Sequence, residues 1–238
     1  PLTNLMRKAQ LTLSRQRPPQ EYKAVLESNT EELERLARIV SDMLFLAQVS
    51  HPAARASFTE VSLAQEAQRV MELFALSAED KHITLSLRGD AWVTGDRLMI
   101  QRAISNLLSN AIRHTPKAST VLLLVETYEQ SVSLSVGNPG RGIEAHHLPH
   151  LFERFYRADS SRTRAEGGTG LGLAIVKSIM HLHQGHAHVT SQPGRFTRFS
   201  LVFPQALAAP LAPGGGGGGR AGGVCGRPGL RGAGGVAR

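Results

Sequence analysis

Two glycine clusters limit what this chain can fold into more than any other feature. Gly140 and Gly142 follow a short strand-like run, and a second cluster leads into an apolar helix predicted from Leu171 to Met180. The second cluster consists of Gly167, Gly168, Gly170 and Gly172. Glycines let the backbone adopt positive φ and approach a ligand closely, and the free N–H groups at a helix start bind anions. The pair indicates a phosphate-binding pocket, although each cluster alone is also an ordinary turn sequence.

A helix predicted between Asp96 and Pro116 supplies polar side chains upstream of these clusters. Asp96 is a good N-cap, and an apolar stripe predicts the face that enters the core. The stripe contains Leu98, Ile104, Leu107, Leu108, Ala111 and Ile112.

Asn106 and Asn110 are four residues apart on this helix and share a face, with Arg113 and His114 one turn further on. Amide oxygens can complete an octahedral Mg²⁺ shell made mostly of phosphate oxygens and water. The alternative is that both asparagines are solvated helix residues without a ligand.

Four segments in this order resemble the boxes of the sensor histidine kinases of bacterial two-component systems, which have the GHKL ATP-binding fold. The segments are NLLSNAIRHTP, VGNPGRGI, LFERFYR and GGTGLGLAIVKSI. The resemblance covers about residues 1–204. The Asn-Pro-Gly sequence of the second segment and the stretch HLPHLFERFYRADSSR are most similar to the heavy-metal (copper/silver) sensor branch.

The resemblance implies transfer of the γ-phosphoryl group of ATP to a histidine and then to an aspartate of a response regulator. It implies ATP and Mg²⁺ as ligands, with Asn110, helped by Asn106, at the metal and Arg113 at the phosphates. The backbone of Gly168, Gly170, Leu171 and Gly172 would cradle phosphates, while Gly140 and Gly142 would shape the base pocket. Asn138 stands where most members carry an aspartate that accepts a hydrogen bond from the adenine amino group, and an amide oxygen can accept that bond without charge assistance.

The first residues, PLTNLM, resemble the end of the family's phosphoacceptor box. The resemblance places the acceptor histidine five positions before Pro1, so we expect this chain to lack it and to fail at autophosphorylation. His181, His183, His186 and His188 alternate around Gly185. We interpret them as surface residues, with a metal site as the alternative.

Residues 1–50 are predicted to form an antiparallel helical hairpin interrupted at Pro18-Pro19. In the second helix apolar residues step alternately by four and three, the spacing of a coiled-coil seam. The seam contains Tyr22, Leu26, Asn29, Leu33, Leu36, Val40, Met43 and Ala47. Two helices cannot hide such a seam, so we expect a homodimer with a four-helix bundle. The alternative is a hairpin packed on the following domain.

After a linker at 51–57, residues 58–204 read as an α+β sandwich, the ATP-binding domain. Strands are predicted at 58–61, 83–87, 92–93, 121–127, 132–136, 186–191 and 196–203, with a helix capped by Ser62 and Gln65 that runs to about Ala78. The segment 156–168 has the length and polarity of a mobile lid.

The net charge of +8 raises the question of nucleic-acid binding, but four arginines of the tail 205–238 supply half of it. That tail holds 13 of the 24 glycines and is predicted to be disordered. The other basic residues are spread over helices without interleaved aromatics, so no nucleic-acid partner is expected. Cys225 is the only cysteine, which excludes an internal disulfide.

No apolar run long enough to span a membrane is present, so we expect a soluble chain whose parent is anchored at the cytoplasmic side of a bacterial inner membrane. Two functions from other classes stay open: a GHKL ATPase or anti-sigma-type protein serine kinase, and a non-catalytic nucleotide-binding dimerisation module.

Overall fold

The structure is a computed structural model that describes residues 2–49, 58–158 and 168–205. The expected linker at 51–57, most of the expected lid (159–167) and the tail beyond residue 205 lie outside the described residues.

The N-terminal region is a helical hairpin, as predicted. Helix α1 spans Leu2–Leu13 and helix α2 spans Pro19–Val49. Lys8 Nζ donates to Ser28 Oγ at 2.7 Å, across the antiparallel pair. Pro19 opens α2, where its fixed φ and missing N–H cost nothing, because the first helical N–H groups have no intrahelical acceptor.

The two ends of α2 have different surroundings. Leu46 and Val49 are buried, and Leu46 belongs to the same core cluster as the sheet and helices that follow. Leu26, Leu33 and Val40 are 66%, 54% and 56% exposed, so one row of the predicted seam has no cover within the described chain. The second half of α2 therefore packs on the following domain while an apolar row stays open.

The following domain is an α+β sandwich, as predicted. Its elements in chain order are β1 Thr59–Ser62, α3 Leu63–Leu73, α4 Ala75–Glu79, β2 Thr84–Arg88, β3 Trp92–Gly95, α5 Arg97–His114, β4 Thr120–Tyr128, β5 Ser131–Pro139, a 3₁₀ helix Ala145–His150, α6 Gly172–Leu182, β6 His186–Gln192 and β7 Phe196–Pro204.

The described strands form two sheets. Strands β1 and β3 pair as an antiparallel ribbon. The larger sheet has the order β2-β4-β5-β7-β6, in which only the β2–β4 pair is parallel. Alternate residues of β4 and β5 point into the core, where they meet the apolar faces of α3, α5 and α6. This one-sided cover leaves the ends of β5 and β7 beside the helices at the candidate site.

The first helix of the sandwich is shorter than predicted. Ser62 Oγ accepts from the Gln65 N–H at 3.2 Å, as the capping pattern predicts, but α3 ends at Leu73 rather than near Ala78. Phe74 has ψ of 2°, and its N–H donates to the Met71 carbonyl at 3.1 Å. The tight turn brings the Phe74 ring against the core. Helical residues resume at once as α4, Ala75–Glu79, so the predicted helix is broken at Phe74 rather than ended there.

Helix α5 is capped as predicted, since Asp96 Oδ1 accepts from the Met99 N–H at 2.9 Å. The prediction that Leu98 faces the core is wrong, because this side chain is 73% exposed. The buried stripe starts at Ile100 and continues by helical steps through Ala103 and Leu107, a phase that turns Leu98 to the surface.

None of the helices in the described part of the chain is long and apolar enough to cross a membrane.

Candidate nucleotide site

A cavity of about 900 Å³ opens between α5, the two glycine loops and the second half of α2. Eight of the ten predicted site residues line it: Asn106, Asn110, Arg113, Asn138, Gly142, Gly168, Gly170 and Gly172. Gly140 and Leu171 do not. Gly140 lies close to the His114 carbonyl, and Leu171 is fully buried with its N–H donated to Thr169 Oγ1 at 3.3 Å.

Helix α5 presents Asn106, Asn110 and Arg113 to the cavity. Asn106 Nδ2 is buried and has no hydrogen-bond partner within the described structure. A Cβ atom added to Gly172 would lie 3.2 Å from Asn106 Oδ1, so the glycine lets the start of α6 approach this amide. An unpaired buried amide is costly unless a ligand satisfies it, which indicates a polar ligand here.

Asn138, near the end of β5, is almost completely buried at the cavity wall. Its Nδ2 donates to the Pro139 carbonyl at 2.9 Å, which leaves Oδ1 as the hydrogen-bond acceptor of the side chain. Thr197 lies opposite on β7 and also lines the cavity. Thr197 Oγ1 is 2.8 Å from Ser191 Oγ, and Ser191 Oγ accepts from the Ile143 N–H at 2.9 Å. This network holds the loop of the first glycine cluster against the sheet.

The second glycine loop is tied to the segment just after the 3₁₀ helix. The Phe155 N–H donates to the Gly170 carbonyl at 2.8 Å, and a Cβ atom on Gly170 would lie 2.9 Å from Phe155 Cα. Gly170 has φ of +73°, and Phe155 itself has φ of +63°, a rare conformation for a bulky residue. Phe152, in the same segment, packs edge-to-face on Phe199. The positive φ values of Gly170 and Phe155 and the hydrogen bond between them hold the second glycine loop at the rim of the cavity.

Gly170→Ala should destabilise the fold more than Gly194→Ala. Both glycines have nearly the same positive φ, +73° and +75°, but an added Cβ meets Phe155 only at Gly170 and nothing within 4 Å at Gly194. The shared backbone cost is about 1–2 kcal/mol, and the clash adds to it only in Gly170→Ala. Denaturant unfolding of both variants measures the difference in the free energy of unfolding. Equal losses of stability would mean that the loop moves to relieve the clash and would contradict the prediction.

Sequence reasoning missed several residues of the cavity. Arg157 lines it, and its buried Nη2 has no partner among the described residues. Its position directly after LFERFY, in a basic segment, was a usable signal. Arg38, Ser41 and Asp42 of α2 also line the cavity, and nothing local in the sequence points to them, because their approach depends on how α2 packs.

Comparison with known proteins identifies the lineage of this site. Residues 95–207 match the family of histidine kinase-, DNA gyrase B- and HSP90-like ATPases. The chain is 46% identical over 205 residues to the sensor histidine kinase CusS of Escherichia coli strain K12, covering 86% of this chain and 42% of that protein. It is 39% identical over 204 residues to the sensor protein CzcS of Cupriavidus metallidurans, covering 86% of this chain and 43% of that protein. The chain belongs to the sensor histidine kinase family.

Within this family the chain groups with the CusS, CzcS and SilS branch of heavy-metal sensors. This confirms the branch that the Asn-Pro-Gly sequence predicted. The chain spans about two fifths of the length of the curated relatives it matches. In fold it is similar to the histidine kinase ThkA, solved in complex with the response regulator TrrA, with a TM-score of 0.67 and 23% identity over 86% of this chain and 57% of that one. It contains the ATP-binding core of such a kinase.

The cavity fits a nucleotide better than a metal ion alone. Four arginines line it, and two of its nitrogens, Asn106 Nδ2 and Arg157 Nη2, are buried without hydrogen-bond partners in the described residues. No group of three or more His, Cys, Asp or Glu residues that could hold a metal occurs in the described ranges. A cation here would depend on amide oxygens and on oxygens of the nucleotide, which Mg²⁺ accepts.

The alternating histidines around Gly185 have different surroundings. His183, interpreted from sequence as a surface residue, is in fact buried. Its Nε2 accepts from the Asp96 N–H at 3.1 Å, and its ring stacks on Phe58. His186 and His188 project from the edge strand β6. Burial lowers the pKa of His188, and the neighbouring His186 lowers it further.

Proposed function

We propose that the chain binds Mg²⁺-ATP in this cavity and transfers the γ-phosphoryl group to a histidine, from which it passes to an aspartate of a response regulator. One observation supports the proposal above all. Two buried nitrogens without hydrogen-bond partners in the described residues, Asn106 Nδ2 and Arg157 Nη2, lie in a cavity lined by arginines, beside the glycine loop that precedes α6. Phosphoryl transfer needs little from a protein beyond positioning and neutralisation of charge, and this cavity offers both.

Each part of the cavity has a proposed role. Asn138 Oδ1 accepts from the adenine amino group, because its Nδ2 is already engaged by the Pro139 carbonyl. Gly142 and Gly140 shape the base pocket. Arg113 and Arg157 neutralise phosphate charge, and the backbone of 168–172 lies along the phosphates, where the start of α6 favours negative charge. Isothermal titration with adenosine, ADP and ATP tests this division, since affinity should rise with each added phosphate.

Asn110, helped by Asn106, is proposed to hold Mg²⁺ through its amide oxygen. When bound, the cation would neutralise negative charge on the phosphates of the nucleotide. The side chains of α5 orient the nucleotide from one wall while the glycine loop contacts it from the other.

The acceptor histidine is proposed to lie outside the ten histidines of this sequence. Neither α1 nor α2 contains a histidine. Nine of the ten lie in the ATP-binding domain and one, His51, lies outside the described residues. An acceptor histidine in a helical hairpin would receive the phosphoryl group from this core. A response regulator is proposed as the next partner, as ThkA has in its complex with TrrA.

The division of the chain is also a proposal: a dimerisation hairpin at 1–50, a linker at 51–57, the ATP-binding domain at 58–204 and a tail at 205–238. A parent protein anchored at the inner face of a bacterial membrane follows from the family resemblance. Fractionation of cells that express the natural gene tests the anchoring.

We further propose that residues 1–50 form a homodimer through the open apolar row of α2. Leu33 is 54% exposed and Leu36 lies at the border of the same row. Leu33→Glu with Leu36→Glu would place charges in the bundle seam at a cost of several kcal/mol. Light scattering at tens of micromolar should show a dimer for the unchanged chain and a monomer for the double variant.

A matched control adds the same charge elsewhere on α2. Gln20 and Gln48 are exposed and lie off the apolar row, so Gln20→Glu with Gln48→Glu should leave the dimer intact. A monomeric unchanged chain would refute the bundle.

A further inference from the structure

Asp42, on α2, places a carboxylate in a cavity that four arginines line, where Glu144 is the other acidic residue among the described residues. It lines the cavity together with Arg38 and Ser41 of the same helix, and its side chain is 21% exposed. A negative charge beside a phosphate site repels the phosphate and lowers its binding affinity. The carboxylate of Asp42 therefore calls for an explanation other than direct phosphate binding.

The contacts of Asp42 connect the long helix to the second glycine loop. Asp42 Oδ2 accepts from Thr169 Oγ1 at 3.4 Å, and Thr169 Oγ1 accepts from the Leu171 N–H at 3.3 Å. One backbone donor of the loop is thus engaged through a threonine that α2 holds. A phosphate that needs this N–H must displace the threonine.

The other carboxylate oxygen of Asp42 is held by the ATP-binding domain. Arg102 Nη2 of α5 donates to Asp42 Oδ1 at 2.8 Å, and the Arg102 guanidinium carbon lies 3.7 Å above the Phe45 ring of α2. Arg102 does not line the cavity. Its positive charge therefore pairs with the Asp42 carboxylate from the side that faces away from the cavity. Phe45, Ile39 and Leu46 pack on the core beside this ion pair.

We propose that Asp42 is a positioning residue that couples nucleotide binding to the docking of α2 on the ATP-binding domain. The proposal rests on the proposed function. While α2 is docked, the Asp42 carboxylate holds Thr169 against the glycine loop and repels phosphate. A bound triphosphate weakens this contact and loosens the second half of α2. Because coupling between two equilibria is reciprocal, the docked helix lowers ATP affinity by the factor by which ATP disfavours docking.

Two substitutions change the charge in opposite directions. Asp42→Asn keeps an acceptor for Thr169 and Arg102 but removes the charge, so ATP affinity should rise roughly fivefold or more. Arg102→Gln removes the cation that holds Asp42 and α2 on the ATP-binding domain, so docking should weaken, and by the same reciprocity ATP affinity should rise. Adenosine carries no phosphate, and its affinity should stay the same in both variants. Calorimetric titration of the full chain with ATP and with adenosine gives these four comparisons.

Hydrogen exchange provides a readout of docking. Amides of residues 39–49 should exchange faster with ATP than with adenosine in the unchanged chain, and the difference should vanish in Asp42→Asn. Unchanged or weaker ATP binding by Asp42→Asn overturns the proposal. Weaker binding only in the presence of Mg²⁺ would instead make Asp42 a contact of the cation and would equally overturn it. If the unchanged chain binds neither ligand, the proposed function itself fails, which is a different outcome from any of these.

Discussion

Asn110→Ala should lose most of its Mg²⁺-ATP binding while the fold stays intact. Asn110 lines the cavity from α5 and is only half-buried, so its removal costs the fold below about 1 kcal/mol. Substitution of residues that only support a metal ligand lowers affinity about 10–100-fold, and loss of a direct ligand should cost at least as much. Calorimetric titration with Mg²⁺-ATP and thermal unfolding measure the two effects.

Ser105→Ala is the matched control for this variant. Ser105 lies on the same helix, is also half-buried and does not line the cavity. Its substitution should leave nucleotide affinity unchanged. Equal affinity of Asn110→Ala and the unchanged chain would remove Asn110 from the site.

The chain incubated alone with γ-labelled ATP should remain unlabelled. Nine of its ten histidines belong to the ATP-binding domain, two of them (His114 and His147) at the cavity itself, and none lies on the helical hairpin. When a separate helical hairpin that carries an acceptor histidine is added, label should appear on that hairpin, because the nucleotide cavity is formed by this chain. A phosphohistidine is recognised by its stability to base and its loss in acid.

The Asn110→Ala variant serves as the inactive control in the same experiment. It should label neither polypeptide. Base-stable, acid-labile label on the unchanged chain alone would reveal an acceptor among its own histidines. Nucleotide binding without label on the added hairpin would favour a non-catalytic nucleotide-binding module.

Local patterns predicted most of the elements of the fold. Asp96 caps α5 as predicted, because an aspartate before an apolar helical stripe accepts the free N–H groups of the first turn. The turn Gln192-Pro193-Gly194-Arg195 joins β6 and β7 as a hairpin. Alternation of apolar residues predicts that a strand exists but does not choose its neighbour, so neither the parallel β2–β4 pair nor the β1–β3 ribbon could be read in advance.

Residues of the candidate site could be predicted where they lie within short sequence motifs. They could not be predicted where their position depends on packing between distant segments. Asn106, Asn110 and the glycines of 168–172 follow from spacing within short segments. Asp42 and Thr169 are 127 positions apart, and their contact depends on the docking of α2. His183 shows the same limit, since its alternation with neighbouring histidines indicated a surface position, whereas its ring is enclosed by Phe58 and Phe203.

The unbroken course of α2 has a mechanical consequence. The helix runs for 31 residues, about 46 Å, with no glycine or proline after Pro19. Kinks arise mostly at such residues, so α2 is a stiff rod without a hinge. Leu33 and Asp42 are nine residues apart, which is about two and a half turns, and they point to opposite sides of the rod. A torsion applied to the hairpin end of the rod would therefore reach the carboxylate at the nucleotide cavity through the helix itself.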